Sequence, residues 1–335
     1  MLYPLTFHPI FKERVWGGRS LEQLYAKPLP PGVPIGESWE ISDRPGDISV
    51  IANGPLAGQD LHSLITRAPD ALLGSARAEN GRFPLLIKLL DAREKLSLQV
   101  HPPAEKAAQL GGEPKTEMWY IAQAEPGAEL FVGLRRGVTR HDFEERLKSG
   151  TVAECFHRVP VHAGDAMFLP SGRVHAIGEG QVIFEVQQNS DTTYRVFDWN
   201  RAGLDGRPRE LHVDQSLSSI DFKDFEPSLV RGHFGTKGPA QIQTLVDDRL
   251  FSVDLVRLVG GTSMSLRPNR LQIIGVTEGH LAFNDGTFDL QIHAGQFCLI
   301  PAELGPTQVE ALSDSAFLRV EPGSAGSSTG ANESS

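Results

Sequence analysis

His162-Ala163-Gly164-Asp165-Ala166-Met167-Phe168-Leu169-Pro170 reappears 131 residues later as His293-Ala294-Gly295-Gln296-Phe297-Cys298-Leu299-Ile300-Pro301. Each copy reads as a His-Ala-Gly turn, a short apolar strand and a closing proline, because glycine supplies the turn and proline ends the ladder of hydrogen bonds. The copies then diverge. The first continues Ser171-Gly172-Arg173-Val174-His175, the second Ala302-Glu303-Leu304-Gly305-Pro306, with no histidine. Any chemistry is therefore expected in the first copy, and His162 and His293, at equivalent turn positions, read as structural.

Outward from this repeat, 34 glycines and 23 prolines punctuate the 335 residues as short strands joined by turns. Gln181 to Gln187 and Phe251 to Leu258 alternate apolar and polar positions as strands do. Helical periodicity is local. From Asp60, the residues Leu61, Leu64, Ile65, Ala68, Leu72 and Leu73 fall near one helical face. A second helix is predicted to start at the N-cap Thr139, with Asp142 three residues on and Phe143 and Leu147 facing inward. The repeated unit resembles the second half of the cupin signature, which implies a mainly β chain of two tandem cupin-like jelly-roll barrels with a few short helices. The expected organisation is a catalytic domain over 1–235, with helical segments around 60–75 and 139–149. A second cupin-like domain without metal ligands follows over 236–321, and a disordered tail of small and polar residues over 322–335.

Apolar residues make up 40 % and charged residues 22 %, enough for a sizeable core. Thirty-two Lys and Arg against 42 Asp and Glu give a net charge of −10, which argues against nucleic acid as a partner, since phosphate neutralisation needs a basic face. A small anionic substrate needs only one local cluster of cations. Cys155 and Cys298 are too few for a disulfide framework or a thiolate zinc site and read as inert core thiols. No apolar run approaches a membrane span, and Met1-Leu2-Tyr3-Pro4-Leu5-Thr6 lacks the features of a signal peptide. The expectation is a cytoplasmic protein, a monomer or small homo-oligomer.

Three segments supply candidate metal ligands. In Ser97-Leu98-Gln99-Val100-His101-Pro102, strand geometry puts Ser97, Gln99 and His101 on one face and Leu98 and Val100 on the other. Glu117 lies among large apolar residues in Thr116-Glu117-Met118-Trp119-Tyr120-Ile121, where a carboxylate needs a partner, and His175 follows the Pro170-Ser171-Gly172 turn. Two imidazoles, one carboxylate and one amide oxygen suit Zn²⁺ with an open position, and Fe, Mn or Co fit the same donors. The alternative is a set of satisfied polar residues at strand ends. His8, His62, His141, His157, His212 and His233 read as ordinary surface or structural histidines.

Leu96-Ser97-Leu98-Gln99-Val100-His101-Pro102, Lys115-Thr116-Glu117-Met118-Trp119-Tyr120 and Asn189-Ser190-Asp191-Thr192-Thr193-Tyr194-Arg195 resemble the type I phosphomannose isomerases, zinc-dependent mannose-6-phosphate isomerases with cupin barrels. Trp16-Gly17-Gly18 and Gly36-Glu37-Ser38-Trp39-Glu40 match the N-terminal segments of that family, and the length resembles its shorter bacterial branch. The resemblance implies one Zn²⁺ per chain, held by Gln99, His101, Glu117 and His175. It implies a catalytic Arg195 beside the reacting carbons, with Glu185 and Lys115, and substrate contacts from Ser97, Lys115 and Arg201. Long-form members carry lysine where this chain has Arg201, so a proton-transfer role there is not expected while charge stabilisation is. Arg158 reads as a surface cation, and most of Trp16, Trp39, Trp119 and Trp199 as core.

The implied reaction interconverts mannose 6-phosphate and fructose 6-phosphate through an enediol. Rival readings are a sugar-phosphate isomerase of different specificity, an iron-dependent cupin oxygenase, and a non-enzymatic sugar sensor. The oxygenase favours a compact His-x-His pair, whereas Gln99-x-His101 puts an amide first, and the intact donor set with Arg195 argues against a degenerate sensor.

Overall fold

The computed structural model describes residues 1–284 and 288–323; the expected tail beyond Gly323 lies outside them, while Pro322 closes a strand, Ser315–Pro322. The chain is mainly β and divides into two compact units. One comprises Pro9–Ile41 and Leu86–Val230, the other Met1–His8, Ser42–Leu85 and Arg231–Ser335.

The division departs from the contiguous 1–235 domain expected from sequence, and the hydrogen bonds of the second unit give the reason. Leu5 and Leu299 exchange backbone bonds of 2.8 Å in both directions. Ala302 and Glu303 donate to Leu72 and Ala71 at 3.0 and 2.9 Å. Gly74, at φ +57°, lies so close that an added Cβ would fall 2.6 Å from the Ala302 side chain. The N-terminal segment and the helical stretch near 60–75 thus belong with the C-terminal strands. That stretch is two helices, Leu61–Arg67 and Pro69–Leu73. Asp60 caps the first by accepting from Ser63, and Pro69, which lacks an N–H, opens the second.

The unit carrying the candidate ligands has two sheets. The larger runs Ile10–Gly18, Ile35–Ile41, Leu85–Ala92, Gln181–Gln188, Glu117–Ala124, Ala166–Leu169; the smaller runs Tyr194–Phe197, Leu98–Val100, His175–Ile177, Glu129–Leu134, Phe156–Pro160. Alternation sorts the side chains of the smaller sheet. Leu130, Val132 and Ile177 join Trp119, Ile121, Met167 and Leu169 in one core cluster, drawn from both sheets. Leu98, Val100, Phe131 and Ala176 point the other way, to a second cluster that includes Phe143 of the helix Arg140–Ser149. Leu98 and Val100 thereby leave Gln99 on the opposite face, as the period of two predicts. The helix starts as read: Thr139 and Asp142 form a reciprocal capping box.

The other unit repeats the larger sheet as Gly235–Lys237, Ala240–Asp247, Phe251–Leu258, Ser315–Pro322, Gln272–Glu278, Phe297–Ile300, with a four-stranded partner sheet. Cys298 is buried in its apolar cluster. Burial pushes the Cys298 thiol up, and Cys155, also buried, up to about 11, so both are inert.

Candidate active site and metal centre

His101, Glu117 and His175 come together from three strand ends. Gln99 sits opposite His175 in the smaller sheet, and Glu117 opposite Leu169 in the larger. The turn before His175 is anchored by Arg173, which donates at 2.8 Å to each oxygen of Asp224 and to the Phe168 carbonyl. Gly172, at φ +92°, donates to the carbonyl of His101 at 2.9 Å, tying that turn to the strand carrying the first histidine.

The donor atoms of the three residues lie within 4.8 Å of one another, and all three side chains are buried. Nε2 of His175 is 3.1 Å and Nε2 of His101 3.4 Å from Oε1 of Glu117. Each imidazole spends its other nitrogen on a backbone carbonyl: His101 Nδ1 donates to Thr192 at 2.8 Å, His175 Nδ1 to Arg173 at 2.9 Å. A carbonyl only accepts, so both Nδ1 atoms carry a hydrogen and the two Nε2 atoms are the ones left facing the carboxylate. Burial, reinforced by the charge of Lys115, drops the His101 pKa to about 3 against the pull of Glu117, which keeps the ring neutral. His101 Nε2 and both oxygens of Glu117 lack a hydrogen bond of ordinary geometry. Apart from the Lys115 ammonium, 3.3 Å from Glu117 Oε2, no donor of ordinary geometry meets these buried acceptors among the described residues, so the three residues fit a divalent metal. The Gln99 amide is 3.3 Å from His175 Nε2; turned end for end it presents its oxygen as a further donor.

Beside this centre lies a cavity of about 530 Å³, within the range of small-molecule sites. Ser97, Gln99, Lys115, Glu185 and Arg195 all line it, so the structure brings together most of the residues singled out from sequence. Lys115 Nζ is 3.3 Å from Glu117 Oε2; burial pulls its pKa down, but Glu117, Glu185, Asp191 and Glu37 together hold it above its ordinary value. Glu185 accepts from the Trp119 indole at 2.8 Å and pairs with Lys88 at 3.3 Å. Burial raises the Glu185 carboxyl, and Glu117 adds to that rise while Lys88 opposes it. Arg195 has no carboxylate contact among the described residues: Nη1 donates to the Glu210 carbonyl at 2.8 Å and Nε is buried without a partner.

Arg201 does not line the cavity. Its guanidinium is held by Asp198 at 3.0 and 3.1 Å and by the carbonyl of Lys95 at 2.6 Å. His212, read as an ordinary histidine, does line it, as do Arg209, Lys88 and Glu37, which the sequence reading passed over as site residues. Lys88 carried a signal, a lone cation within the otherwise apolar run Leu85-Leu86-Ile87-Lys88-Leu89-Leu90. Glu37 accepts from Arg14 at 2.9 Å and Trp39 at 2.6 Å; Lys88 and Arg14 overcome its burial and lower its pKa to about 2. Trp16 and Trp119 also line the cavity, Trp39 is core, and Arg158 is an exposed cation paired with Glu129.

Fold and site together define a mainly β protein with a buried His–Glu–His metal centre at the edge of a polar, small-molecule cavity. The family description "Phosphomannose isomerase type I, catalytic domain" matches residues 5–120. The mannose-6-phosphate isomerase ManA of Bacillus subtilis is 36 % identical over 321 residues, 93 % of this chain and 97 % of that protein. The mannose-6-phosphate isomerase of Streptococcus mutans is 32 % identical over 90 % of this chain and 93 % of its own length. The crystal structure of the mannose 6-phosphate isomerase from Bacillus subtilis superposes with a TM-score of 0.87 at 29 % identity, covering 96 % of this chain and all of the other. The chain belongs to the type I mannose-6-phosphate isomerase family.

Proposed function

We propose that this chain interconverts mannose 6-phosphate and fructose 6-phosphate at one zinc ion held by Gln99, His101, Glu117 and His175. The observation that carries the reading is the convergence of two buried imidazoles and the Glu117 carboxylate, whose oxygens lack hydrogen bonds of ordinary geometry, beside a cavity lined by Arg195. A related isomerase of known structure, more distant in sequence, is described as bound with zinc and yttrium. Zinc bound there supplies a Lewis acid for the sugar oxygens.

The chain's own residues do the rest. The reaction moves a proton between C2 and C1, and negative charge develops on the oxygens of the enediolate. Arg195 stabilises that charge, at an advantage because part of the guanidinium is sheltered from water. Glu185, raised by burial toward the range where a carboxyl both gives and takes protons, serves ring opening or proton relay. Lys115 and Ser97 contact the substrate from the cavity wall, and Arg201 contributes positive charge without a direct contact. The same reading makes each unit a cupin-type jelly roll. It makes the chain a cytoplasmic monomer or small homo-oligomer that binds neither nucleic acid nor membrane. No helix among the described residues is long and apolar enough to cross a membrane.

The test is fructose 6-phosphate formation from mannose 6-phosphate by chelator-stripped protein before and after zinc is restored, with glucose 6-phosphate as control. Activity restored by zinc and selective for the mannose ester is the expected result. Folded, zinc-loaded protein that turns over neither ester would sink the isomerase reading.

A further inference from the structure

The cavity's cations are not equally occupied. Lys88 pairs with Glu185 and Lys115 with Glu117, each at 3.3 Å. Arg14 donates to Glu37 at 2.9 Å. Arg195, Arg201 and Arg209 form a different group. Arg201 and Arg209 share the single carboxylate of Asp198, and Arg195 touches no carboxylate among the described residues. Asp191 and Asp205 line the cavity without contacting Arg195 or Arg209.

The chain places this group deliberately. Trp199 and Asn200 follow each other at φ +57° and +55°, a left-handed pair unfavourable for a bulky side chain. The Trp199 indole is fixed by donating to the Leu96 carbonyl at 2.7 Å. The turn is closed by Arg201 N–H to the Asp198 carbonyl at 3.1 Å and by the pairing of Ala202 with Pro208. Arg209 is thereby returned to Asp198, to which Nε and Nη2 donate at 2.6 and 2.5 Å as a two-pronged clamp. The next residues run along Arg195: His212 donates to its carbonyl at 2.8 Å, and the Glu210 carbonyl accepts from its Nη1 at 2.8 Å.

The two arginines differ in what remains available. Arg201 donates through Nε to Asp198 and through Nη1 to the Lys95 carbonyl, while its Nη2 is buried 3.0 Å from Asp198 without a hydrogen bond of its own, away from the cavity lining. Arg209 has Nη1 without a protein partner among the described residues, and it lines the cavity together with Arg195. Three guanidinium charges meet two carboxylates, Asp198 and, 3.8 Å from Arg201, the exposed Glu94, so the group keeps a net positive charge toward which a phosphate monoester is drawn.

Resting on the isomerase reading, we propose that Arg209, latched by Asp198, is the cation that receives the phosphate of the substrate in this chain, and that Arg201 is a positioning residue acting through Asp198. Asp198 fixes the guanidinium plane while Nη1 faces the ligand, so the site is built before the substrate arrives.

The test uses the full, zinc-loaded chain with Arg209→Ala, Arg209→Lys and Arg201→Ala. Inorganic phosphate binding is read by calorimetry, and KM and kcat for mannose 6-phosphate are measured in parallel. Arg209→Ala should weaken phosphate binding and raise KM by roughly 10- to 100-fold, the scale of a charged hydrogen bond, with a smaller change in kcat. Arg209→Lys, which keeps the charge but loses the clamp, should fall between wild type and alanine, and Arg201→Ala should raise KM less than either. Wild-type phosphate affinity in Arg209→Ala, or a larger loss in Arg201→Ala than in Arg209→Lys, overturns the assignment. Should Arg209→Ala fail to fold, the ranking of the other two variants decides. Phosphate binding is independent of turnover, so a wild type that binds phosphate through Arg209 yet converts no mannose ester would refute the isomerase reading and leave the anion site standing.

Discussion

Where Lys88 pairs with Glu185 in the larger sheet of one unit, Asp254 lies opposite Arg319 in the larger sheet of the other, 2.7 Å apart. The strand order of the two sheets corresponds element for element, and the repeated motif fixes the register. Leu169 faces Glu117, and its counterpart Ile300 faces Gln272. Two positions further along, Trp119 faces Glu185 and Ile274 faces Arg319. The C-terminal unit therefore carries the same buried ion pair with its charges exchanged, and an amide in place of the ligand carboxylate. Its amide is occupied, for Gln272 donates to the Arg267 carbonyl at 2.8 Å. Where the first unit sets Gln99 against His175, the corresponding strand pair of the second sets Met264 against Val309, both in its apolar cluster. One architecture can thus hold either unsatisfied acceptors or a closed network, and only the first leaves room for chemistry.

The comparison breaks most visibly at the ligand. Glu117→Gln should lower kcat/KM for the mannose ester by roughly 1,000-fold, the loss of several kcal/mol of charge stabilisation, and should abolish stoichiometric zinc. The reciprocal Gln272→Glu should gain no metal, because Met264 and Val309 offer no donors; zinc content by elemental analysis reads both. Full zinc occupancy and normal turnover in Glu117→Gln would remove that residue from the ligand set.

The exchanged ion pairs come next. Lys88→Met leaves the buried Glu185 carboxylate only the Trp119 indole and costs about 3 kcal/mol, whereas Arg319→Met leaves Asp254 the Thr244 hydroxyl and Arg267 at 3.5 Å and costs less. Urea midpoints should fall for both, but only Lys88→Met should lower kcat per folded molecule, because only its partner, Glu185, lines the cavity. An equal fall in kcat for Arg319→Met would mean that the second unit is not the passive member of the pair.

Much of this contrast is legible in the sequence, for physical reasons. The repeat is local, and so are the strand Phe251–Leu258, the caps at Asp60 and Thr139, and the sorting of Gln99 from Leu98 and Val100. Each depends on neighbours within a few residues. The discontinuous units are not legible, because Leu5 finds its hydrogen-bond partner at Leu299. Nor are Arg209 and His212, which reach the cavity through a loop without periodicity. Arg201 was expected at the substrate because its charge matched, but a carbonyl of Lys95 decides where its guanidinium goes.

A pH series sharpens the comparison at Glu37, which accepts from Arg14 in the metal-holding unit. Its carboxyl is lowered to about 2 from 4.5, so it binds its proton more readily in the unfolded chain. The stability it contributes is fully present above pH 4.5 and is lost as pH falls through about 2. At 1.36 kcal/mol per unit this amounts to at most about 3 kcal/mol. Glu37→Gln should therefore be much less stable than wild type at pH 6, and the gap should close between pH 4.5 and 2 in urea titrations. A gap that does not change with pH would show that the loss is one of packing.

The smallest effect tests whether the site depends on the back of its sheet. The helix Arg140–Ser149 places Phe143 in the cluster with Leu98, Val100 and Ala176, on the strand faces opposite Gln99 and beside His175. Thr139→Ala removes the capping box, which costs about 1 kcal/mol and, for a unit of this size, about 3 °C in Tm. The cap is exposed and makes no contact with the cavity, so zinc affinity and kcat should stay within twofold of wild type while Tm falls. The strands that carry the ligands are held from the other side by hydrogen bonds of their own, Gln99 against His175 and His175 against Val132 in adjacent register. A drop in zinc affinity accompanying the loss of the cap would instead mean that the helix holds those strands in place, and that ligand geometry is set by the outer cluster rather than by the sheet itself.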